Sequence, residues 1–478
     1  MLFTKEKRDI RHSWGYKYEW TPEHQTKEQM RPLTFSYDLL GADCLDRLDA
    51  ISPPRSTRPD PKSTVDDNTA GTPAPGDGKD AKPRRDLYAL LEQHQASDPK
   101  LNELWTQVHT VPSWVDWDQI KRGQDVFYRY GGPSIVSLTF QSLVGGMGGW
   151  RVVETLARTG GFGAKVAKRR LLETFQHILQ VTKDLDSIQP GGEGFASSVK
   201  VRLLHASVRR RILALARERP GYFDVDAWGV PINDLDCIGT VLSFSSALIW
   251  IGLPRQGIYL REQEIVDYSA LWRWVGYLLG TPADTWLVDY RRSKVLFESL
   301  IEADINPSDK SGVLANNILT GLSCQPPTFV SREFLCAEAY WLNGWELSRA
   351  LGIERPSLWH QALVAGQCLY FMGTCYLYRS IPQWDERKNE RVRKFFYHLT
   401  VHNKEIGLGR ETDFDFKYVP QLGRTTELGQ FESSRLRIGS SERQGLTTLV
   451  LASALVAAVA WSGFRAATNL LAVVHVVS

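Results

Sequence analysis

The segment Ser198-Val199-Lys200-Val201-Arg202-Leu203-Leu204-His205-Ala206-Ser207-Val208-Arg209-Arg210 decides how this chain is read. It holds no proline or glycine. Its apolar residues Val201, Leu204 and Val208 recur at steps of three and four, the period of one helical face. Arg202, His205 and Arg209 follow the same period on an adjoining stripe. An imidazole between two guanidiniums has its cationic form disfavoured by like charge, and neutral imidazole is the form that ligates a metal. Two readings satisfy these residues. One is a core histidine whose arginines reach solvent at the helix edges. The other is a metal-ligating histidine whose arginines pair with acidic groups of a cofactor, such as the propionates of a heme.

Outward from this helix the same period runs through most of the chain. It predicts helices over 117–130, 135–144, 150–158, 164–185, 197–217, 232–253, 261–279, 281–303, 310–322, 331–351 and 358–376. Gly131-Gly132-Pro133, Thr159-Gly160-Gly161 and Pro190-Gly191-Gly192 punctuate it. Strand-type alternation is scarce, so the fold class is all-α, with one large helical domain over 87–403. Residues 1–50 form an N-terminal extension with a short helix around 38–49. Residues 51–86 are dense in Pro, Asp, Gly, Lys, Ser and Thr and read as a disordered linker, too polar to offset chain entropy. Residues 404–444 lose the period and read as an exposed connection to a hydrophobic tail, 445–478.

Within that tail, 446–464 is uncharged, preceded by Arg435, Arg437 and Arg443 and followed by Arg465. About 20 apolar residues span a bilayer core, so the tail reads either as a membrane anchor or as a final core helix. Over the whole chain of 478 residues, 43% hydrophobic and 23% charged content exclude a wholly disordered protein. A net charge of +3 without a concentrated basic patch gives no reason to expect a nucleic-acid partner. Six scattered cysteines form no CxxC pair and fit a reducing compartment, and no CxxCH motif offers covalent heme attachment. Sixteen tryptophans suit an aromatic core, an interfacial belt or an apolar substrate cavity.

Two further helices carry polar residues on one face. Arg170, Glu173, Thr174 and His177 share a stripe, which is either a solvated face with a surface ion pair or a buried face that needs a ligand. One helix earlier, Glu154 is a third candidate carboxylate.

Taken in order, GGWRVVET (148–155), RLLET (170–174), VRLLHA (201–206), WGVPIN (228–233) with Asp236 and Gly239-Thr240, and DYSALWRWVGYLLG (267–280) resemble the rubber oxygenase (latex clearing protein) catalytic domain. That family includes fungal endoplasmic-reticulum oxygenases that cleave a terpenoid side chain. The resemblance runs over about 110–400. It implies a globin-like core binding heme b, with His205 as proximal iron ligand and Arg202 one helical turn before it. Arg170 and Thr174 match polar residues of the distal or heme-supporting helix, and Glu154 matches a carboxylate placed near the substrate as a base. Where rubber oxygenase has a lysine able to cap the iron, this chain has Glu173, so lysine capping and long-polymer cleavage are not expected. Arg209 joins Arg202 as a candidate for the heme propionates.

The implied activity is heme-dependent oxygenation and cleavage of a double bond in an apolar, isoprenoid-like substrate by dioxygen. A tail anchor would place the enzyme on the endoplasmic reticulum with its catalytic domain on the cytoplasmic side. The alternatives are a peroxide-using heme enzyme on the same fold, or a heme-free, membrane-associated helical interaction protein.

Overall fold

The computed structural model describes residues 8–54, 85–414, 419–423, 425–430 and 439–477, with side chains described as far as 466. Most of the expected linker, 55–84, lies outside the described residues. The rest is one large helical domain, as the periodicity requires. Short polar side chains open its helices by accepting from otherwise unpaired backbone N–H groups. Asp116 caps Trp117–Arg129, Asn233 caps Asp234–Phe244, and Ser331 caps Arg332–Ala350. The histidine helix, Glu193–Glu218, is one turn longer at its start than its apolar period suggests.

Four expected spans differ in detail, one of them 232–253, where Asp234–Phe244 ends at Ser245 and a π-type segment, Leu248–Gly252, follows. Gly131-Gly132-Pro133 begins a helix as well as ending one: Gly131–Val136 continues into a wider π-type segment, Ser137–Val144. Proline fits the first turn of a helix, where its missing N–H has no intrahelical acceptor to lose. The span 281–303 is broken into Ala283–Trp286 and Tyr290–Asp304, the second capped by Asp289. Arg332–Ala350 is kinked at Gly344, whose φ of 81° glycine alone adopts without strain.

Among the elements that were not expected, a hairpin and a charged helix stand out. Asp9–Ser13 and Tyr16–Trp20 form an antiparallel hairpin, with Asp9 opposite Trp20. Its two turn residues, Trp14 and Gly15, both have positive φ, as a tight two-residue hairpin turn demands. Arg255 secures the turn by donating to the Gly15 carbonyl at 2.9 Å. Pro382–Tyr397 is a helix rich in charge, and its buried positions are Asp385 and Asn389. Asp385 accepts from Arg129 at 2.6 Å, so ion pairing seats this helix where an apolar stripe ordinarily would.

The core has two main clusters and a third, small one, in which Leu204, Val208 and Ile212 of the histidine helix pack with Phe223. Phe127, Phe195, Leu203, Trp272 and Trp274 belong to the larger, which also takes in Met30, Cys44 and Leu48 from the N-terminal extension. Phe334, Leu314 and Leu363 belong to the second. The connecting segment after 403 has no helix from Asn403 to Gly439 among its described residues, but it is not a free connection. Thr412 exchanges backbone bonds with the Gln176 amide at 2.8 and 3.0 Å, and the Gly429 N–H donates to Asn317 at 2.7 Å.

The tail is a single helix, Ser440–Val477. Its first three turns belong to the body. Glu442 accepts from the Ser331 N–H at 3.0 Å, and Gly445 meets Gly366 of the helix Leu358–Arg379 so closely that a methyl group on Gly366 would lie 2.1 Å from the Gly445 carbonyl. Beyond Ala452 every described residue is exposed, including Leu455, Val456, Trp461 and Phe464. The stretch 440–466 is long and apolar enough to cross a membrane and only 6% buried, whereas a second such stretch, Asp234–Arg255, is 61% buried in the body.

Candidate active site

Residues of both main core clusters surround a cavity of about 1020 Å³. That is at the upper end of the roughly 300–1,000 Å³ usual for small-molecule and cofactor sites. Its walls are mostly apolar, and the N-terminal hairpin closes part of it with Trp14 and Tyr16. His205 lines this cavity, together with Arg170 and Thr174 from the preceding helix, Ala164–Thr182.

Burial holds the His205 imidazole down to about 3, with the charges of Arg209 and Arg170 acting the same way. The ring is therefore neutral throughout the physiological range. Its Nδ1 is buried without a hydrogen-bond partner, an unusual condition for a polar atom. Thr174 Oγ1 donates to the Arg170 carbonyl at 3.2 Å.

The other expected site residues lie elsewhere. Arg202 does not line the cavity: its Nε and Nη2 bind both carboxylate oxygens of Asp38 at 2.6 and 2.7 Å, and Nη1 donates to Gln107 at 2.9 Å. Arg209 is buried behind His205, donating to the carbonyls of Pro231 at 3.2 Å and Ile232 at 2.7 Å, with its guanidinium 4.6 Å from the Tyr37 ring centre. Glu173 is buried on the far side of its helix, 3.5 Å from Arg169. Glu154 is likewise outside the cavity, held at 2.6 Å by both Arg158 and Lys310. Of the seven candidates, the structure brings His205, Arg170 and Thr174 together at the cavity wall.

The carboxyl groups that do line it are Asp236, Asp304 and Glu338. Burial pushes Asp236 up to about 7, opposed by Arg151 and reinforced by Asp304. Asp236 already stands in the WGVPIN-Asp236 text, but its chemistry is invisible there because the shift comes mainly from burial among distant parts of the chain. No sequence signal marks Glu338.

Can these residues hold a heme? A neutral histidine whose ring makes no hydrogen bond to the described protein, facing a large apolar cavity, would suit a ligand to heme iron. Among the described residues there is no group of three or more His, Cys, Asp or Glu side chains placed to hold an ion. A heme would bring the other ligands of its iron with it, so His205 alone would serve as the protein's ligand. Of the cations that line the cavity, Lys168, Arg170 and Arg255, Arg170 is the one whose charge acts on His205, and its guanidinium suits an acidic periphery.

Residues 128–374 match the catalytic-domain family described as ER-bound oxygenase mpaB/B'/Rubber oxygenase. The chain belongs to this family. The match spans His205, Arg170, Thr174, Asp236 and Glu338. Rubber oxygenase of Streptomyces sp. (strain K30) is 20% identical over 295 residues, which are 56% of this chain and 66% of that protein. Aurantioclavine synthase of Penicillium expansum is 52% identical, but over 46 residues only, 9% of this chain and 10% of that one. The chain thus spans just under two thirds of the first of these relatives and a tenth of the second. The solved structure of latex clearing protein LCP in the closed state covers 81% of this chain and 95% of its own, with a TM-score of 0.50 and 17% identity. At that identity the likeness establishes the helical fold.

Proposed function

We propose that this family member is a heme-dependent oxygenase that uses dioxygen to cleave a double bond in an apolar, isoprenoid-like substrate. The observation that carries it is His205, a neutral histidine without a hydrogen-bond partner among the described residues, on a cavity large enough for a cofactor and an organic substrate. Heme, when bound, supplies the iron at which dioxygen is activated. His205 would hold the iron from its side of the cavity, kept neutral by burial and by Arg209. Arg170 would meet the acidic groups of the cofactor. The apolar walls would exclude water and align a hydrocarbon chain. The names of the rubber oxygenase and latex clearing relatives support this substrate class.

The exposed tail beyond Ala452 would enter a bilayer, with Arg465 and Trp461 near an interface. This suits the ER-bound description of the family, with the body on the cytoplasmic side.

Product formation from a farnesyl- or geranylgeranyl-type substrate tests the reaction. Carbonyl products in air, lost under argon and not restored by hydrogen peroxide, are expected. Turnover that proceeds anaerobically with peroxide, or none in air, would overturn the assignment.

A further inference from the structure

The polar groups of the cavity wall are not all near His205. Glu338 on the kinked helix Arg332–Ala350 and Gln367 on Leu358–Arg379 both line the cavity, and they are only 4% and 3% exposed. The Gln367 Nε2 donates to Glu338 Oε1 at 2.7 Å. Neither the second Glu338 oxygen nor the Gln367 carbonyl oxygen takes a bond from the described protein, and neither is sealed away among the buried, unsatisfied atoms. Both are therefore open to the cavity. Burial pushes the Glu338 carboxyl up to about 8, with Glu442 adding to the effect, so near neutral pH it mostly carries its proton. The result is one O–H donor beside one amide acceptor, set into a wall that is otherwise mostly apolar.

The pair stands apart from the iron-ligand end. The charges that act on His205 are Arg209, Arg170, His177 and Asp38. Among the described residues, the charge that acts on Glu338 is Glu442, at the root of the tail helix. A buried polar pair costs stability unless both members are satisfied, and here each has one bond and one open site. The complementary group both accepts and donates, as a hydroxyl or a protonated carboxyl does. A pure hydrocarbon satisfies neither.

We infer that Glu338 and Gln367 form a polar anchor in the substrate chamber, and that the substrate is an apolar chain ending in a hydroxyl or carboxylic acid whose polar end docks there while its chain extends toward His205. The inference rests on the proposed function in taking this cavity as the substrate chamber. It separates this chain from an enzyme for unfunctionalised hydrocarbon.

Competition binding of the full-length protein in nanodiscs against radiolabelled farnesol tests it, with farnesol, farnesoic acid, farnesyl methyl ether and farnesene as competitors. Wild type is expected to prefer farnesol or farnesoic acid over the ether and the hydrocarbon by about tenfold, the effect of one net hydrogen bond. Which of the two binds more tightly tells hydroxyl from acid. Glu338→Leu should bring that preference close to unity while leaving farnesene binding unchanged, and the shape-conserving Glu338→Gln should give an intermediate ratio. Equal binding of all four by wild type, or an undiminished preference in both variants, would overturn the anchor while leaving the chamber and the heme assignment standing. Failure of every compound to bind would remove the chamber itself, and the anchor with it. Heme binding is read independently from the absorption spectrum.

Discussion

At the level of single residues, helical spacing placed Arg202, His205 and Arg209 on one face but could not say what faces each of them. His205 meets the cavity. Arg202, one turn earlier, meets Asp38, 164 residues away in the N-terminal extension, and the pair is almost wholly buried. Glu154 and Glu173 show the same limit, because their cationic partners take them out of the cavity. Breaking a buried ion pair by removing one partner costs about 3–5 kcal/mol. Arg202→Ala is therefore expected to lower unfolding stability by that order and to lose heme through instability. Arg211→Ala removes a half-buried bond to the Pro420 carbonyl at 3.1 Å and should cost about 1 kcal/mol. Denaturant titration of the two variants checks the difference, and equal losses would mean that the Asp38 pair has no special weight.

Among the elements, strongly apolar-periodic helices were legible to within a few residues, while two elements seated by other means were not. The hairpin is mostly exposed and depends on its turn and on Tyr16 donating to Glu298 at 2.9 Å. Pro382–Tyr397 depends on Asp385. The tail was legible as an apolar stretch, but not as two functional parts. Its first three turns are body, and the described side chains beyond Ala452 are exposed. Truncation after Ala452 should therefore release a soluble protein that still binds heme, since no residue from 453 to 466 is packed against the body. Truncation after Gly439 removes Glu442 and Gly445 from their contacts and should reduce stability and expose the helix Leu358–Arg379. Fractionation and melting of the two truncations separate these outcomes. If the longer one remains on membranes, the anchor lies elsewhere.

The whole molecule also carries a pH dependence that its sequence does not reveal. His177 is buried, held down to about 4 by desolvation, and bonded through Nδ1 to Ser197 at 2.9 Å. The unfolded chain binds a proton near 6.5 that the folded chain refuses. Its contribution is thus fully present above about 6.5 and is lost as pH falls toward 4, at up to ~1.4 kcal/mol per pH unit. His177→Gln should flatten the fall of melting temperature between these values, and an unchanged slope would contradict the burial of a neutral ring.

The family and the helical class were readable from ordered motifs, and the same motifs single out His205 as the candidate iron ligand. The cavity was not readable there, because it is assembled from both main core clusters, the hairpin and the root of the tail. The central claim is that His205 in this cavity holds heme iron. It is tested most directly by the absorption spectrum of the purified full-length chain supplied with heme, beside that of His205→Ala. One non-covalent heme per wild-type chain with a Soret band, lost or shifted in the variant while the fold persists, is predicted. No Soret band in wild type, or an identical spectrum and heme content in the variant, would contradict it.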